Sequence, residues 1–367
     1  MIEVIEARKS LDDFIKFPLS LYSHDPFYVP QLTKEMRVHF SSENPFFSHC
    51  SAKFFIAVKE GRPAGRIISF VNRRHNEFHR EKTGFFGFFE SVNDKSVSRV
   101  LFDTAVAHLR GEGMERIRGP MNFSTNEECG FLIEGFKESP IIMMPYNPPY
   151  YTELAEDYGF EKVKDLYAYL YKVAERLPEK VLRVAAIVEK RGISVRPINM
   201  KNFRADMMIF KEVYHSAWEK NWGFVPMTDE ELHYASERLK QIIIPKMTLI
   251  AEEDGKPVGF MGLVPDFNFV LKRMGGKMNP LTIAKALYYS RKIKDLRVML
   301  LGIKKEFRNK GVEALLFREG FGPIKEGRYE RVEFSWILEE NIAIQRTIEA
   351  FGVELYKKYR IYGKPLV

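Results

Sequence analysis

Two segments of the chain repeat one another at a constant spacing. Residues 56 to 67 read IAVKEGRPAGRI and residues 250 to 261 read IAEEDGKPVGFM, so that five residue types coincide at an offset of 194. The coinciding pairs are Ile56/Ile250, Ala57/Ala251, Gly61/Gly255, Pro63/Pro257 and Gly65/Gly259. Each copy predicts a strand, a tight turn that contains glycine, and a second, antiparallel strand.

A second similarity follows about a hundred residues later in each half. YYTELAEDYGFEKV (150 to 163) and AIQRTIEAFGVELY (343 to 356) each indicate a helix that ends at an aromatic-glycine pair, followed by a strand. Their glycines, Gly159 and Gly352, are 193 residues apart. The sequence therefore predicts two copies of one fold, and a length of 367 residues suits two domains of about 100 to 200 residues each.

The expected boundaries follow from this repeat. We expect residues 1–175 to form a first, degenerate copy and residues 193–367 to form the second copy. Between them, residues 176–192 have apolar positions at helical spacing and are expected to form a helical linker. The second copy carries a basic insertion at residues 265–297.

The element order of the second copy predicts the fold class. The expected elements are strand 193–198, helix 203–219, helix 229–241, hairpin 247–264, strand 296–303, helix 309–319, strand 329–336, helix 341–350 and strand 353–362. Such an order gives an α/β fold with a mixed, partly antiparallel sheet and helices on both faces.

Composition excludes several classes of protein. An apolar content of 45% indicates folded domains rather than disorder. No leader-like segment follows Met1 and no apolar run approaches the roughly 20 residues of a membrane span, so we expect a cytoplasmic protein. The two cysteines, Cys50 and Cys129, lie outside any metal-ligand spacing, and we expect neither a disulfide framework nor a metal site.

Positive charge is concentrated in the insertion. The whole chain carries a formal charge of +8, and residues 265–297 contain eight basic residues against two acidic ones. The insertion also contains several methionines, leucines and tyrosines. This pattern suits peripheral contact with an anionic membrane, a solvated helical face or packing against the other domain. RNA binding is disfavoured because few aromatic residues are spaced for base stacking.

The second half resembles the GNAT superfamily of N-acyltransferases. The resemblance rests on the hairpin IAEEDGKPVGFMGL, the strand VMLLGIKKEF, the turn Arg308-Asn309-Lys310-Gly311-Val312, the strand RVEFSWI, and Asn341 at the start of the next helix. As a whole, the chain resembles bacterial tandem-GNAT proteins, some relatives of which are implicated in acylating long-chain bases. Its layout is also similar to that of N-myristoyltransferases and of Fem peptidoglycan transferases.

The resemblance implies a donor site in the second copy. In GNAT proteins the turn binds the pyrophosphate of acetyl-CoA or of a longer acyl-CoA, which here assigns Arg308, Asn309, Lys310, Gly311 and Val312 to the donor. The pantetheine would run beside the backbone of Leu300, Leu301 and Gly302 and would be reached by Asn341. An ordinary helix start with cationic surface residues is the alternative.

Two positions depart from the GNAT pattern. Glu313 stands where glycine or alanine completes the phosphate-binding turn, and it would place a negative charge near the pyrophosphate. Ile348 stands seven residues after Asn341, where the family has its general-acid tyrosine. Both departures favour a catalytically silent protein that binds a ligand or a partner.

Amine acylation needs a base for the amine and an acid for the leaving thiolate. Strand alternation directs Glu333 away from Val332 and Phe334, and Glu333 and Glu340 are the candidate bases, with Glu339 beside them. The closing strand offers Tyr356, Tyr359 and Tyr362 as replacement acids, of which we expect Tyr359 to serve. The alternatives are surface carboxylates and packed aromatic rings.

The acceptor residues are expected elsewhere. No glycine-bearing turn follows the strand at 84 to 91, so the first copy is expected to bind no nucleotide. Its polar loop contributes Asn122, Asn126 and Glu127 as substrate residues, unless the loop is only a self-bonded turn. In the second copy, Trp222 and Phe224 would form an apolar rim, and Thr228 with Glu231 predicts a capping box.

The preferred interpretation is a transferase that moves an acyl group from acyl-CoA to an amine, and a long-chain or lipid-related amine is among the acceptors. The alternatives are the silent tandem protein and a Fem-like, tRNA-dependent aminoacyl transferase. The sequence leaves the acyl length, the acceptor and the oligomeric state open.

Overall fold

The structure is a computed structural model that describes residues 1 to 7 and 11 to 366. Its strands are β1 (Ile2–Glu6), β2 (Cys50–Lys59), β3 (Arg62–Asn72), β4 (Thr83–Ser91), β5 (Arg116–Gly119), β6 (Phe131–Glu134), β7 (Glu161–Lys172), β8 (Ile193–Pro197), β9 (Thr248–Glu253), β10 (Lys256–Pro265), β11 (Asp295–Ile303), β12 (Arg331–Leu338) and β13 (Glu354–Pro365). Its α-helices are α1 (Leu11–Leu21), α2 (Thr33–His39), α3 (Arg73–His79), α4 (Lys95–Gly111), α5 (Tyr150–Asp157), α6 (Glu179–Lys190), α7 (Phe203–Trp218), α8 (Asp229–Leu239), α9 (Asn268–Met274), α10 (Pro280–Ser290), α11 (Val312–Glu326) and α12 (Ile342–Glu349). The mixed α/β class is confirmed.

The chain divides into two compact units. Unit 1 contains Met1–Tyr167, Asn268–Arg291 and Lys357–Val367, and unit 2 contains Ala168–Phe267 and Lys292–Tyr356. The boundaries predicted from the repeat divide the chain into consecutive segments. The units are instead groups of residues that contact one another, and each contains segments from separate parts of the sequence. The two divisions differ most at the insertion helices and at the last residues of the chain, both of which belong to unit 1. The repeat-based boundaries stay a prediction.

The sheet of unit 1 is closed by a strand from the end of the chain. Strands β1 to β4 pair antiparallel in sequence order, and β4 pairs parallel with β5. The end of β13 then pairs antiparallel with β5, from Tyr362 opposite Gly119 to Pro365 opposite Arg116. A buried stripe of α4 that includes Leu101, Phe102 and Leu109 packs in the apolar core of this unit.

The sheet of unit 2 receives a strand from the first half of the sequence. Strands β8, β9, β10 and β11 pair antiparallel, β11 pairs parallel with β12, and β7 neighbours β12. Beyond the end of β7, the N–H of Val173 donates to the carbonyl oxygen of Glu330 at 2.9 Å. The end of β13, from the second half of the sequence, therefore joins the sheet of unit 1. The end of β7, from the first half, joins the sheet of unit 2.

The two hairpins confirm the internal repeat. Both turns contain two residues, Glu60–Gly61 and Asp254–Gly255, and all four residues have φ between +49° and +76°. Positive φ at both central residues defines the type I′ turn, whose twist matches that of the strands it joins. Both second strands also bulge at equivalent residues, Ala64 in β3 and Val258 in β10. The repeat therefore extends to backbone irregularities that residue identity alone does not reveal.

The glycines of the second similarity terminate helices as predicted. Gly159 follows α5 with φ +89°, and Gly352 follows α12 with φ +75°. The N–H of Gly159 donates to the backbone carbonyl oxygen of Glu156, and the N–H of Gly352 donates to that of Glu349, each at 2.9 Å. A left-handed glycine after a helix satisfies the last carbonyl groups, which ends the helix and lets the next strand begin.

A buried polar cluster joins α3 to β5 in unit 1. Nε2 of His75 lies 2.6 Å from Glu81, and Arg118 donates to both carboxylate oxygens at 3.0 and 3.3 Å. The hydrogen bond with His75 and the charge of Arg118 outweigh partial burial and lower the pKa of Glu81 to about 2. Burial lowers the pKa of His75, so the ring is neutral at pH 7 and donates its N–H. His75 of HNEFH thus belongs to a polar cluster with Glu81 and Arg118.

The first prediction concerns the pH dependence of this cluster. A carboxylate whose pKa is lower in the folded state stabilises the fold above its unfolded pKa, near 4.5, and loses that effect as the pH falls towards 2. We expect Glu81→Gln to reduce the free energy of unfolding by about 2 kcal/mol at pH 7 and by progressively less below pH 4.5. Urea unfolding between pH 3 and 7 measures the difference. The exposed Glu77 provides the control Glu77→Gln, and an equal loss at every pH would contradict the assignment.

Candidate donor and acyl-transfer site

Strands β11 and β12 pair over only part of their length. The parallel register runs from Asp295 opposite Arg331 to Val298 opposite Phe334, four pairs in all. Strand β11 continues to Ile303 and β12 to Leu338. The backbone of β11 after Val298 therefore has no β12 partner on that edge, and an extended ligand could pair with it as an added strand.

A β-bulge lies where the two strands part. Val298 lies opposite Leu263 and Leu300 lies opposite Gly262, so Met299 is the extra residue of β11. Bulges bend a strand and redirect its side chains, and they are common next to active sites. The predicted pantetheine residues Leu300 and Leu301 are half-buried just beyond this bulge.

Gly302 has a packing reason of its own. A Cβ at this position would lie 2.3 Å from the indole of Trp218 and 3.2 Å from Cβ of Ala217. The glycine therefore lets the end of α7 lie directly against β11. Close approach of backbone was expected at Gly302, and here the approaching group is an indole ring.

The predicted phosphate-binding turn leads directly into α11. Gly311 is the N-cap residue with φ +85°, and no side chain caps this helix. Asn309 is also left-handed, with φ +59°. By contrast, the side chain of Asp94 caps α4, and Thr228 with Glu231 forms the predicted capping box on α8. An uncapped helix N-terminus presents N–H donors and the positive end of the helix dipole to an anion.

The cations of the turn lie at its surface. Arg308 and Lys310 are both exposed. The guanidinium of Arg308 donates to the carbonyl oxygen of Ala217 at 2.5 Å, and the Lys310 ammonium lies 4.7 Å from the centre of the Phe307 ring. Val312 is fully buried and starts the apolar face of α11. Arg308 thus joins the turn to α7, and both charges remain near the helix start.

Glu313 lies in the first turn of α11 and is half-buried. Among the residues that the structure describes, no cation forms an ion pair with it. An acidic side chain at this position stabilises the helix dipole by about 0.3 to 1 kcal/mol. The residue that opposes an anionic ligand therefore has a stabilising role in the free protein.

In unit 1, β4 and β5 are the strands equivalent to β11 and β12. Residues of unit 1 contact β4 where the two strands stop pairing. Strands β4 and β5 pair at only three positions, and Oδ1 of Asn122 then accepts a hydrogen bond from the N–H of Phe88 at 2.8 Å. A Cβ on Gly87 would lie 1.7 Å from the carbonyl oxygen of Met121. The carboxylate of Asp94, which caps the next helix, would also repel an anion. That the first copy binds no nucleotide stays a prediction.

The candidate base Glu333 belongs to a buried polar cluster in unit 2. Its side chain is 0% exposed and accepts hydrogen bonds from the hydroxyls of Ser335 and Tyr356. Arg297 donates to Oγ of Ser335 at 2.9 Å and to its carbonyl oxygen at 3.2 Å. Arg297 and Glu333 are paired in register, one position before the strands part. The cluster can therefore hold and move a proton next to the open edge of β11.

Sequence reasoning named Glu333 but missed part of this cluster. Arg297 was counted with the basic insertion, although the parallel register of β11 and β12 places it opposite Glu333. Tyr356 is the tyrosine that donates to Glu333. The expected acid Tyr359 is instead fully buried in unit 1, opposite Leu132 of β6. Alternation along β12 and the pairing of two strands could have predicted Arg297, whereas no local pattern selects Tyr356.

The remaining second-copy residues lie at the ends of elements. Glu340 is exposed in the turn after β12. Asn341 caps α12 by accepting a hydrogen bond from the N–H of Ile344 at 3.4 Å. Ile348 is 0% exposed, so the position that carries a tyrosine in the GNAT pattern is here part of the apolar interior.

The predicted acceptor residues belong to both units. In unit 1, the N–H of Asn126 donates to Oγ of Ser124 at 3.1 Å, and Glu127 lies 3.2 Å from His39, so the loop is held by a local bond and by a contact with α2. In unit 2, Phe224 packs in the apolar cluster between α7, β9 and β10, whereas Trp222 is half-buried. Only Trp222 keeps the partial exposure expected of a rim residue.

Two features are absent from the residues that the structure describes. Within residues 1–7 and 11–366, no three acidic, histidine or cysteine side chains are grouped as they would be around a metal ion. In the same ranges, no helix has the length and apolar character needed to cross a membrane.

Two solved structures have the same fold as this chain. The tandem GNAT protein from the clavulanic acid biosynthesis pathway superposes with a TM-score of 0.60 at 12% identity, covering 100% of this chain and 99% of that protein. A GCN5-related N-acetyltransferase from Sphaerobacter thermophilus superposes with a TM-score of 0.56 at 12% identity, covering 100% and 96%. The chain therefore has the tandem GNAT fold, and the predicted fold resemblance is confirmed.

Two relatives then show the family. Protein YghO of Escherichia coli (strain K12) is 34% identical over 372 residues, covering 100% of this chain and 95% of that protein. Bacterial ceramide synthase of Caulobacter vibrioides (strain NA1000 / CB15N) is 31% identical over 373 residues, covering 99% and 96%. No protein-family model matches the chain. The chain belongs to the family that contains these two proteins.

The second prediction concerns Gly311. A Cβ at this position would lie 2.4 Å from Cγ1 of Val184 in α6, and φ is left-handed. We expect Gly311→Ala to cost about 2 kcal/mol or more in the free energy of unfolding, because strain and overpacking add. Adding Val184→Ala should recover the steric part only, and a double-mutant cycle measures that coupling.

Gly111 provides the control for this prediction. It ends α4, has an ordinary backbone conformation, and a Cβ there would contact nothing within 4 Å. Gly111→Ala should leave the protein as stable as before or stabilise it by up to about 1 kcal/mol. Equal effects of the two substitutions would show that Gly311 has no special packing role.

Proposed function

We propose that the chain is an acyl-CoA-dependent N-acyltransferase whose donor site is in unit 2. The observation that carries the proposal is the open edge of β11 after Val298, which leads through the turn at residues 308–311 into an uncapped helix. An acyl-CoA has both an amide-containing arm that can pair with a strand edge and a pyrophosphate that suits a helix start. The filled equivalent region of unit 1 supports a single donor site.

In this proposal, Arg308, Asn309, Lys310, Gly311 and Val312 form the pyrophosphate site. Leu300, Leu301 and Gly302 offer backbone groups to the pantetheine, and Asn341 borders it. The N–H groups at the start of α11 would donate hydrogen bonds to the pyrophosphate, and Arg308 and Lys310 would add positive charge beside it.

The proposed acyl transfer uses Glu333 and Tyr356 as a proton relay. The amine nitrogen attacks the thioester carbonyl carbon, a C–N bond forms and the C–S bond breaks. Glu333 takes the proton that the amine loses, and Tyr356 supplies a proton to the leaving thiolate and recovers one from Glu333. The hydroxyl of Ser335 donates to the carboxylate and orients it, and Arg297 positions Ser335 by donating to its Oγ. The products are an amide and free CoA.

The proposed acceptor is a long-chain amino alcohol. The relative from Caulobacter vibrioides is named a ceramide synthase, and a ceramide is the amide of such a base with a fatty acid. Identity of 31% over almost the whole of both chains supports the same class of substrate here. Trp222 is the half-buried aromatic residue that would contact an apolar acceptor chain.

The third prediction tests the donor turn through Glu313. Glu313→Gln removes a negative charge and keeps the shape of the side chain. We expect the dissociation constant for CoA, measured by isothermal titration calorimetry, to fall about fivefold, which corresponds to about 1 kcal/mol of relieved repulsion. The effect should weaken as salt is added.

Glu326 lies at the other end of the same helix and provides the matched control. Glu326→Gln should leave CoA affinity unchanged. Absence of CoA binding in both the parent and Glu313→Gln, with both proteins folded, would identify the turn as an ordinary helix start.

The fourth prediction tests the proton relay. With a long-chain acyl-CoA and a long-chain amino alcohol, we expect Glu333→Gln to lower kcat by about 100-fold and Tyr356→Phe by about 10-fold or more. Thiol release measures turnover, and retained CoA affinity shows that each variant is folded. Glu330→Gln, at an exposed carboxylate beside the start of β12, should leave kcat within about twofold.

Other outcomes have distinct meanings. A loss of activity in Glu340→Gln, with Glu333→Gln active, would move the base to Glu340. CoA binding without thiol release from any amine would support the silent tandem protein, an alternative that Glu313 and the buried Ile348 favour. Thermal stabilisation by tRNA but not by CoA would support an aminoacyl transferase.

A further inference from the structure

Helix α10 exposes most of its large apolar side chains. Leu281, Leu287 and Tyr288 are 66%, 67% and 57% exposed, and Ile283 is 46% exposed. The residues on the inner side are Thr282, Ala286, Tyr289 and Ser290, which are buried or half-buried. At about 100° per residue, Leu281, Ala284, Leu287 and Tyr288 share one outward face. Amphipathic helices of water-soluble domains normally have the opposite arrangement.

The orientation of α10 is fixed by α9 beneath it. The guanidinium of Arg273 lies 3.7 Å from the centre of the Phe269 ring and 4.7 Å from that of Tyr289, which joins the two helices. The capping box of Asn279 and Thr282 fixes the start of α10. The outward apolar face is therefore built into the fold and does not result from a loosely attached helix.

Helix α9 is itself anchored to the body of unit 1. Asn268 donates to the carbonyl oxygen of Pro140 at 2.9 Å, and Lys272 donates to Oγ of Ser139 at 2.8 Å. After α9, the carbonyl oxygen of Gly276 accepts from both the N–H and the hydroxyl of Thr33, each at 3.2 Å. The insertion thus forms a rigid projection of unit 1 that carries exposed apolar side chains at its surface.

The charge around this face has one sign. Residues 267 to 294 contain no acidic residue, and they contain seven basic ones. The exposed cations of the same segment of unit 1 include Lys277, Lys285 and Arg291. A helix with an outward apolar face and cationic borders suits the interface of a bilayer that contains anionic lipids. A protein partner would need a matching acidic, apolar groove, whereas an anionic membrane supplies both properties without specific shape.

We propose that α10 docks unit 1 on an anionic membrane surface, with Leu281, Leu287 and Tyr288 inserted among the lipid headgroups and the lysines paired with lipid phosphates. This docking is an interaction in its own right and does not depend on the acyl-transfer chemistry. It predicts binding to lipid bilayers by protein that holds neither donor nor acceptor.

The fifth prediction is a flotation experiment with the full-length protein. Vesicles of phosphatidylcholine alone are compared with vesicles that also contain phosphatidylglycerol. We expect the protein to float with the anionic vesicles, and the triple variant Leu281→Ser, Leu287→Ser, Tyr288→Ser to lose about tenfold or more of the bound fraction. The charge variant Lys277→Gln, Lys285→Gln, Arg291→Gln should lose the preference for anionic vesicles.

Exposed apolar residues elsewhere provide the matched control. Leu182, Ile187 and Met208 are 38%, 51% and 46% exposed, and their triple serine variant should bind vesicles like the parent. Failure of the parent to bind anionic vesicles, or an equal loss in the control, would overturn the proposal. Analytical ultracentrifugation of the lipid-free protein gives a further check. If the α10 variant separates a dimer into monomers, the face is covered by a second copy of the chain and the proposal is wrong.

Discussion

The site of unit 2 depends on the point at which β11 and β12 stop pairing. Parallel strands that remain paired satisfy each other's backbone groups and leave no place for a ligand. Here pairing ends after Val298, and the bulge at Met299 turns the strand at the same position. The separation therefore leaves backbone donors and acceptors of β11 without a partner in β12, one position after Arg297 and Glu333 are paired in register. Continued pairing of β11 and β12 would remove the edge to which the proposed donor would bind.

The two units show how one architecture can keep or lose such a site. Their hairpins share the turn type and the bulge, so the framework is common to both. In unit 1 the side chain of Asn122 satisfies the N–H of Phe88, and Asp94 caps the following helix. In unit 2 neither position is filled by a protein side chain of this kind. A polar side chain that satisfies the backbone stabilises the fold but occupies the position that an anionic or strand-like ligand would take, and for this reason the donor site is proposed in unit 2.

Local patterns predicted local structure well. The hairpins, the helix-ending glycines and the capping box of Thr228 and Glu231 follow from the conformational needs of a few adjacent residues. The exchange of closing strands between units was not predictable, because β7 and β13 have similar aromatic, strand-forming sequences and nothing local selects their partners. For the same reason sequence reasoning found Glu333, by alternation within one strand, but selected Tyr359 rather than Tyr356. Which tyrosine reaches a buried carboxylate depends on how strands are assembled, and that is set by the whole sheet.

Glu313 is compatible with a working enzyme because its two effects act on different states. In the free protein it stabilises the first turn of an uncapped helix. In the complex it would repel the pyrophosphate, which acyl-CoA and the product CoA have in common. A repulsion that is equal for substrate, transition state and product weakens binding throughout and leaves the chemical barrier within the complex unchanged. Such a residue would raise KM and speed the release of CoA without lowering kcat, so its presence alone is no argument against catalysis.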